Sequence, residues 1–516
     1  VNVLTKMLIA IVCVCLLTMT ACQPTPEIPP FANRAAGIDG LSIIDPLLDG
    51  EYKQIDAPER LVGREELANG NIILEMDVDV VVPKISNTPV IELRDKGISQ
   101  EFLIELVDYF TPDARFYKIP PMTRTELEEE LILMKERSGD YSAHYLPITA
   151  YEMRVMELLE NAPETEQREY VDVVFDYPYQ EDSFYIRNKE KYLENERIVG
   201  SQNVFKAIAE ADDTITQRFE VQNHDRRTGS SSFFEYSRGI IIPKSRVEAY
   251  QQSYEIYFSG VGTSLDELGF GPNPKWLVET RTWLDKADNM LESPSITYEV
   301  AIERAEQVLR DLGIDHLGFE EAVPGIQFLD GNCSGYRLNN MGLDWENAVG
   351  GYSVFFSRHI DGLFYSSIRG RTVEDATALW PENLSVFVTD EGVQQFNWYN
   401  VSETVSVIAE NTQLSDFETV FANFKNLLVY SSYPGAKYRY VLTDVSLCAM
   451  NTTALNAPLN AWAVPTWVFA MDSYTNTDAG EEVRSANFRR HISAIDGKYI
   501  PLFMGDDQPF STIWFG

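Results

Sequence analysis

The chain has 516 residues, 44% of them hydrophobic and 12% aromatic, and a formal net charge of −37. That much apolar material excludes a disordered tail and is enough for several cores at about 150 residues per domain. A surface this acidic opposes nucleic acid and anionic lipid, so no nucleic-acid partner is expected.

The chain opens as an export signal. Lys6 supplies a weakly basic flank, and Met7 to Leu17 is an unbroken apolar run. The run is too short for a permanent membrane span, which needs about 20 residues, and has the length of a signal-peptide core. Thr20 and Ala21 are small residues set directly before Cys22. Leu17-Thr18-Met19-Thr20-Ala21-Cys22 resembles the lipobox of bacterial lipoproteins. That resemblance implies cleavage after residue 21, a diacylglyceryl thioether on Cys22, and a place on the extracytoplasmic face of a bacterial cell membrane. Gln23 to Pro30 carries four prolines, which favours an extended, solvated spacer. The expected partition is a signal peptide over 1–21 and a lipid anchor with proline-rich tether over 22–55. Cysteine usage fits export without reliance on disulfides. Beyond Cys22 only Cys333 and Cys448 remain, and a bond between them or two buried thiols are both open.

The folded part reads as mixed helices and strands. Asn71 to Val82 alternates, is rich in β-branched residues and ends at Pro83, which predicts a strand; Pro89 to Leu93 predicts a shorter one. Ser99 caps a helix to Phe110 with Phe102, Leu103, Leu106 and Val107 on one face. Thr123-x-x-Glu126 is a capping box before Leu127, Leu131 and Met134. With a strand from Tyr170 to Tyr177, residues 56–180 form an expected N-terminal α+β domain. Residues 181–290 form a middle α+β region: a helix from Lys189 to Arg197, paired strands at Thr214–Gln222 and Ser231–Ser237, a strand from Glu248 to Phe258, and a boundary near Gly260 to Pro274.

The last third is the most regular. Thr297 starts a helix burying Ala301, Ile302, Ala305, Val308, Leu309 and Leu312, with Gly313 just past its end. Asp361-Gly362 and Asp390-Glu391-Gly392 predict two hairpin turns. Ser415-x-x-Glu418 predicts a second capped helix burying Val420, Phe421, Phe424, Leu427 and Leu428. Tyr438–Leu447, Trp462–Met471 and His491–Ile500 read as strands. The expectation is an α+β, multidomain chain of antiparallel sheets each covered by helices, with one unit over 291–400 and another over 401–516.

A lipobox, a proline tether, a strand reading MDVDVVVP, a helix opening at Met122-Thr-Arg-Thr-Glu, and an ending of Val464-Pro465-x-Trp467 then Ile495-Asp496-Gly497 together resemble an uncharacterised family of clostridial-type Gram-positive lipoproteins. The late order of helix then strands, with Trp467 and a final Asp-Gly turn, resembles PepSY-type domains and the related YycH and YycI regulators. That resemblance implies a helix packed on an antiparallel sheet and a role in restraining peptidases or sensor kinases.

No G-x-S-x-G, S-x-x-K, H-E-x-x-H or phosphate-loop motif occurs. The histidines His144, His224, His316, His359 and His491 are scattered without metal-ligand spacing, so neither a metal nor a cofactor is expected. Asp77 with Asp79, and Asp212 with Asp213, cannot be singled out among 79 acidic residues. The loop from Asp472 to Glu482 misses the calcium pattern because Thr477 stands where glycine is needed, which favours a solvated hairpin. Trp398, Tyr399, Trp462 and Trp467 suit either a sugar or peptide groove or core pairs. These readings favour a non-catalytic, membrane-tethered binding or regulatory module for a protein or peptide partner. The alternative is a cell-surface, carboxylate-dependent hydrolase acting on glycan or peptide. If Cys333 and Cys448 are bonded, an intact mass under non-reducing conditions is lower by two hydrogens; ready alkylation of both without denaturant shows exposed thiols instead.

Overall fold

The computed structural model describes residues 41–48, 50–138, 146–175, 204–210, 216–223, 232–244, 247, 275–329, 347–366, 379–432, 437–453, 460–476 and 482–500. Cys22, Cys333, His144, His224, Asp212 and Asp213, and the stretches expected at 189–197 and 248–258, lie outside them. The chain is α+β and multidomain. It divides into two compact units, one of residues 1–88, 410–448 and 464–516, the other of 89–409 and 449–463. Each unit combines segments far apart in the chain. N-terminal strands pair with C-terminal ones, and pairing rather than chain order decides what packs together.

In the first unit, β1 (Arg60–Leu67) and β2 (Ile72–Val81) form an antiparallel pair. Alternation along β2 buries Ile72, Leu74, Met76 and Val80. Its other neighbour is β16 (Tyr438–Thr453), and this pairing is parallel. β17 (Asn460–Asn476) lies beside β16 and pairs antiparallel with β18 (Glu482–Ser493). Helix α6 (Phe417–Ser431) covers this sheet with Phe417, Val420, Phe424, Leu427 and Leu428. The Phe424 ring stacks on Phe469 at 4.2 Å and 13°, and Phe417 meets Trp467 edge-on at 4.8 Å. The cap of α6 is Asp416, one residue later than the sequence suggested. Its carboxylate accepts from the Thr419 N–H at 2.7 Å, and a negative charge there also suits the helix dipole. Ser415 instead donates its hydroxyl to the Ile495 carbonyl. Asp496-Gly497 forms the expected turn, but β18 ends at Ser493 before it rather than running to Ile500. Asp472 and Asn476 stand in β17, and Asn476 faces Glu482, so the doubtful cation loop joins a hairpin.

The described part of the expected tether docks on the first unit. Ile43 forms a bridge with Thr412, and the Lys53 N–H donates to the Ile85 carbonyl at 2.7 Å. The Lys53 ammonium donates to Thr88 Oγ1 at 2.5 Å, to Asn411 Oδ1 at 2.6 Å and to the Thr412 carbonyl. All three acceptors are neutral, and burial lowers this lysine to about 8.

The second unit is built on a largely antiparallel sheet. Its strands are β4 (Arg115–Tyr117), β5 (Tyr170–Val171), β6 (Val204–Glu210), β7 (Gln217–Gln222), β8 (Phe233–Arg238), β9 (Ile240–Pro243), β10 (Leu317–Phe328), β11 (Val349–Ile360), β12 (Leu363–Phe364), β13 (Asn383–Thr389) and β14 (Gly392–Tyr399). The order is β5-β4-β6-β7-β8-β14-β13-β11-β10-β9, with β12 beside β11. β8 and β9 are separated by Gly239 alone, yet β8 pairs with β14 and β9 with β10. The sheet thus curls back onto one bent segment. Gly239 makes the corner at φ +79°, where an added Cβ would sit 2.3 Å from the Phe328 carbonyl oxygen. Gly325 and Gly351 face each other across β10 and β11, and the buried Phe387 ring covers them both.

One face of this sheet is covered by α1 (Gln100–Phe110) and α5 (Tyr298–Asp311). Leu103, Leu106 and Val107 of α1 join Ala301, Ala305, Val308 and Leu309 of α5 in a single core with Phe219, Phe234, Val354, Phe356, Val386 and Phe396. Ser99 and Thr297 cap these helices as expected. Asp361 and Gly362 both take positive φ, the geometry of a tight two-residue hairpin. Helices α2 (Arg124–Ser138) and α3 (Leu146–Glu160) pack on each other through Leu127 and Val155, and the Thr123–Glu126 capping box forms in both directions. Helix α4 (Lys275–Glu292) packs Leu284, Ala287 and Leu291 on Ile242, Ile326 and Phe328. β3 (Val90–Asp95) and β15 (Ser402–Ala409) complete the unit as an antiparallel pair.

Gly239→Ala combines an unfavourable φ with a backbone clash, so it should destabilise the chain by more than the ~1–2 kcal/mol of a left-handed alanine alone. Gly392→Ala, at φ +116° with open space around it, should cost distinctly less. Urea midpoints of the two variants compare them directly.

Candidate functional site

Antiparallel alternation brings the starts of β10 and β13 and the ends of β11 and β14 to one end of the second unit's sheet. His316 stands just before β10, Arg358 lies near the end of β11, Glu382 precedes β13, and Trp398 lies near the end of β14. With Ser402 at the start of β15, they converge on one carboxylate. The Glu382 side chain has no exposed surface. Its Oε1 meets His316 Nε2 at 3.0 Å and accepts from Trp398 Nε1 at 2.9 Å. Its Oε2 accepts from Arg358 Nε at 3.0 Å, Arg358 Nη2 at 2.6 Å and Ser402 Oγ at 3.0 Å. Arg358 Nη2 also donates to the Ser402 carbonyl at 2.7 Å.

Burial by itself raises a carboxylic acid. Here the His316 hydrogen bond and the Arg358 and His316 charges outweigh it and hold Glu382 below the ordinary carboxylate range. Five contacts fill the carboxylate's acceptor capacity. The arrangement can fix the imidazole, the guanidinium and four strand ends; Glu382 offers no open lone pair to a reacting group. Trp398 is shared with the core, its ring meeting Phe102 edge-on at 6.2 Å.

The remaining expected residues do not join this cluster. His359 lies in β11 with its ring 5.6 Å from Phe364. His491 is buried in β18, opposite Val468. Desolvation, with the Arg489 and Arg490 charges, lowers it to about 3. Asp77 and Asp79 are exposed and share Arg60, a surface pairing worth little. Trp467 is core, and the Tyr399 hydroxyl donates to Glu235. Cys448 is buried. Among the described residues no group of three His, Cys, Asp or Glu side chains could hold a metal ion, and no helix is long and apolar enough to cross a membrane. The sequence reading took His316 singly and missed Glu382 and Arg358. The hairpin at 390–392 was a usable signal, because its register sets Leu384 opposite Trp398 and so brings Glu382 to the indole.

No family model and no curated protein matches the chain. Two solved structures are similar to it. An uncharacterised protein from Eubacterium rectale ATCC 33656 aligns over 86% of this chain and 94% of its own, at 9% identity and a TM-score of 0.36. The Bacillus megaterium YpeB C-terminal domain aligns over 63% of this chain and 96% of its own, at 11% identity and a TM-score of 0.21. Likenesses at those scores carry no argument about function.

Truncating Glu382 leaves Arg358 buried without its counter-ion, so Glu382→Ala should destabilise by about 3–5 kcal/mol in denaturant titrations. The stability that Glu382 contributes is present above its unfolded value and is lost as pH falls through its lower folded value. His491 acts over a higher window. It is neutral when folded and takes a proton when unfolded, so stability should fall by up to about 1.4 kcal/mol per pH unit between about pH 6.5 and pH 3. His491→Leu should flatten that limb, and Glu382→Gln the more acidic one.

Proposed function

We propose that this chain is an extracytoplasmic lipoprotein, anchored to the bacterial cell membrane through Cys22, that acts as a non-catalytic binding or regulatory module for a protein or peptide partner. The observation that carries the reading is the edge strand β15. Among the described residues it pairs with β3 on one side and ends the strand order on the other. Val405 and Val407 on it are 43% and 57% exposed. A free edge offers backbone donors and acceptors to an added strand, and exposed alternate side chains give that addition specificity. Two register shifts, at Thr404/Ser406 and Val407/Ala409, interrupt the ladder; such irregularities blunt an edge against indefinite self-pairing and suit one short partner segment. Helices lying across antiparallel sheets are also what the PepSY-type resemblance implies. Saturation of the Glu382 carboxylate agrees with a structural use of the most polar buried cluster.

Two measurements test this. A single thioether-linked diacylglycerol supplies two acyl chains, enough for stable anchoring. Cys22→Ala should therefore appear in the soluble fraction or unprocessed, with a changed mass; equal membrane retention at unchanged mass refutes the anchor. For the partner, crosslinking on intact cells followed by reconstitution should protect the β15 amides from hydrogen exchange, and Val405→Lys with Val407→Lys should abolish that protection without changing stability. Reproducible turnover of a glycan or peptide, abolished by one Asp or Glu substitution, would establish the hydrolase alternative in its place.

A further inference from the structure

β3, β15 and the 460–463 end of β17, which belongs to the second unit, present a sheet face beside the β15 edge. Residues directly opposite on neighbouring strands share a sheet face. The register sets both Trp462 and Ser406 opposite Glu92, and both Asn460 and Glu403 opposite Arg94. The outcome is two rows of three, Trp462–Glu92–Ser406 and Asn460–Arg94–Glu403. The other face of the same strands carries Ile91, Leu93, Ala461 and Ala463, all buried. The six residues thus point away from the core, each half-buried or exposed. The grid measures about 10 Å across the strands and about 7 Å along them, a footprint of one or two pyranose rings.

Its polar groups are held in place before any ligand arrives. Asn460 Nδ2 donates to Glu92 Oε1 at 2.7 Å, and Ser406 Oγ donates to Glu92 Oε2 at 2.8 Å. Arg94 Nε donates to Glu403 Oε1 at 2.9 Å. The Asn460 and Ser406 donors also keep Glu92 below the ordinary carboxylate range, so it remains an acceptor at neutral pH. Each planar group still has open hydrogen-bonding capacity: further lone pairs on Glu92, the amide oxygen of Asn460, and the remaining guanidinium N–H groups of Arg94. Among the described residues Trp462 has no stacking ring; its indole nitrogen is buried without an acceptor, so only the partly exposed ring, and not its N–H, is offered to a ligand.

We propose that this face is a carbohydrate-binding site for a neutral pyranose chain, with Trp462 as the stacking platform and Glu92, Asn460 and Arg94 contacting hydroxyl groups. Sugar hydroxyls both donate and accept, which matches a patch offering carboxylate, amide and guanidinium together. The apolar C–H face of a pyranose suits the apolar surface of an indole ring. Glu92, Arg94 and Glu403 sum to one negative charge, which opposes an anionic ligand. A purely apolar partner would bury these groups without partners, at a cost. The site shares β15 with the proposed strand addition but uses the face of the strand rather than its edge, and it uses none of the Glu382 cluster.

The full chain should be retained on insoluble chitin or cellulose and should bind soluble chitotetraose or cellotetraose with a saturable change in tryptophan fluorescence. Trp462→Ala should weaken binding at least about tenfold, and Trp462→Phe should restore part of it. Glu92→Gln and Asn460→Ala, which preserve the core face, should each weaken binding several-fold with unchanged circular dichroism; they decide the matter if Trp462→Ala fails to fold. No retention on either polysaccharide, binding equal in all variants, or binding only of a lysine-rich peptide used as control would overturn the proposal.

Discussion

A carboxylate taken wholly out of water must be met by donors on every side, because its desolvation costs several kcal/mol that only close hydrogen bonds and opposite charge recover. Glu382 meets that condition with an imidazole, an indole, a guanidinium and a hydroxyl. These come from four stretches of chain between His316 and Ser402. The curled sheet of the second unit brings the four together, and the carboxylate in turn fixes where their strands end. Loss of the acid strands a buried arginine, so the cluster ties register, packing and charge into one requirement. Its saturation also decides what it can do: it orients and holds, and has no acceptor left for a reacting group.

The first unit rests on a different interaction. The polar contacts of its helix α6 include the Asp416 cap, the Ser432 hydroxyl on Leu428, and the bonds of Asn423 and Lys425 to Gly497 and Glu65. It is held on the sheet by rings: Phe417 against Trp467 and Phe424 flat on Phe469. Burying such side chains is worth about 1.5–3 kcal/mol each. The sheet beneath joins strands separated by more than 360 residues, such as Ile72 beside Tyr438. The segment carrying Lys53 is held against the same unit by an ammonium among three neutral oxygens, an arrangement in which burial lowers the lysine's basicity.

Function on such a scaffold resides in what the cores leave over. Helices α1 and α5 take one face of the curled sheet; among the described residues β15 ends a strand order, and Glu92 and Arg94 lie on the side of β3 opposite its buried Ile91 and Leu93. In the proposals above, the edge takes a partner's backbone and the face takes sugar hydroxyls. A formal net charge of −37 makes the surface repel anions. The fold alone would license none of these statements, since the same architectures host many activities.

Local signals in the sequence were sufficient for local structure. Ser99 and Thr297 as caps, the Thr123–Glu126 box, the Asp361-Gly362 turn, and the apolar stripes of α1, α5 and α6 follow from hydrogen bonds and periodicities spanning fewer than five residues, and the α+β class follows from their order. The cap of α6 was missed by one residue because Ser415 is taken by the Ile495 carbonyl, 80 residues away. The sequence by itself also determined the charge and placed Cys22 behind an apolar run. Only the tertiary structure decided that β2 pairs in parallel with β16, that Gly239 turns a corner, that Arg358 and His316 meet Glu382, and that Trp462 stands beside Glu92. Each of these depends on register between strands far apart in the chain, and register is set by the packing of whole faces, which no short window of residues contains.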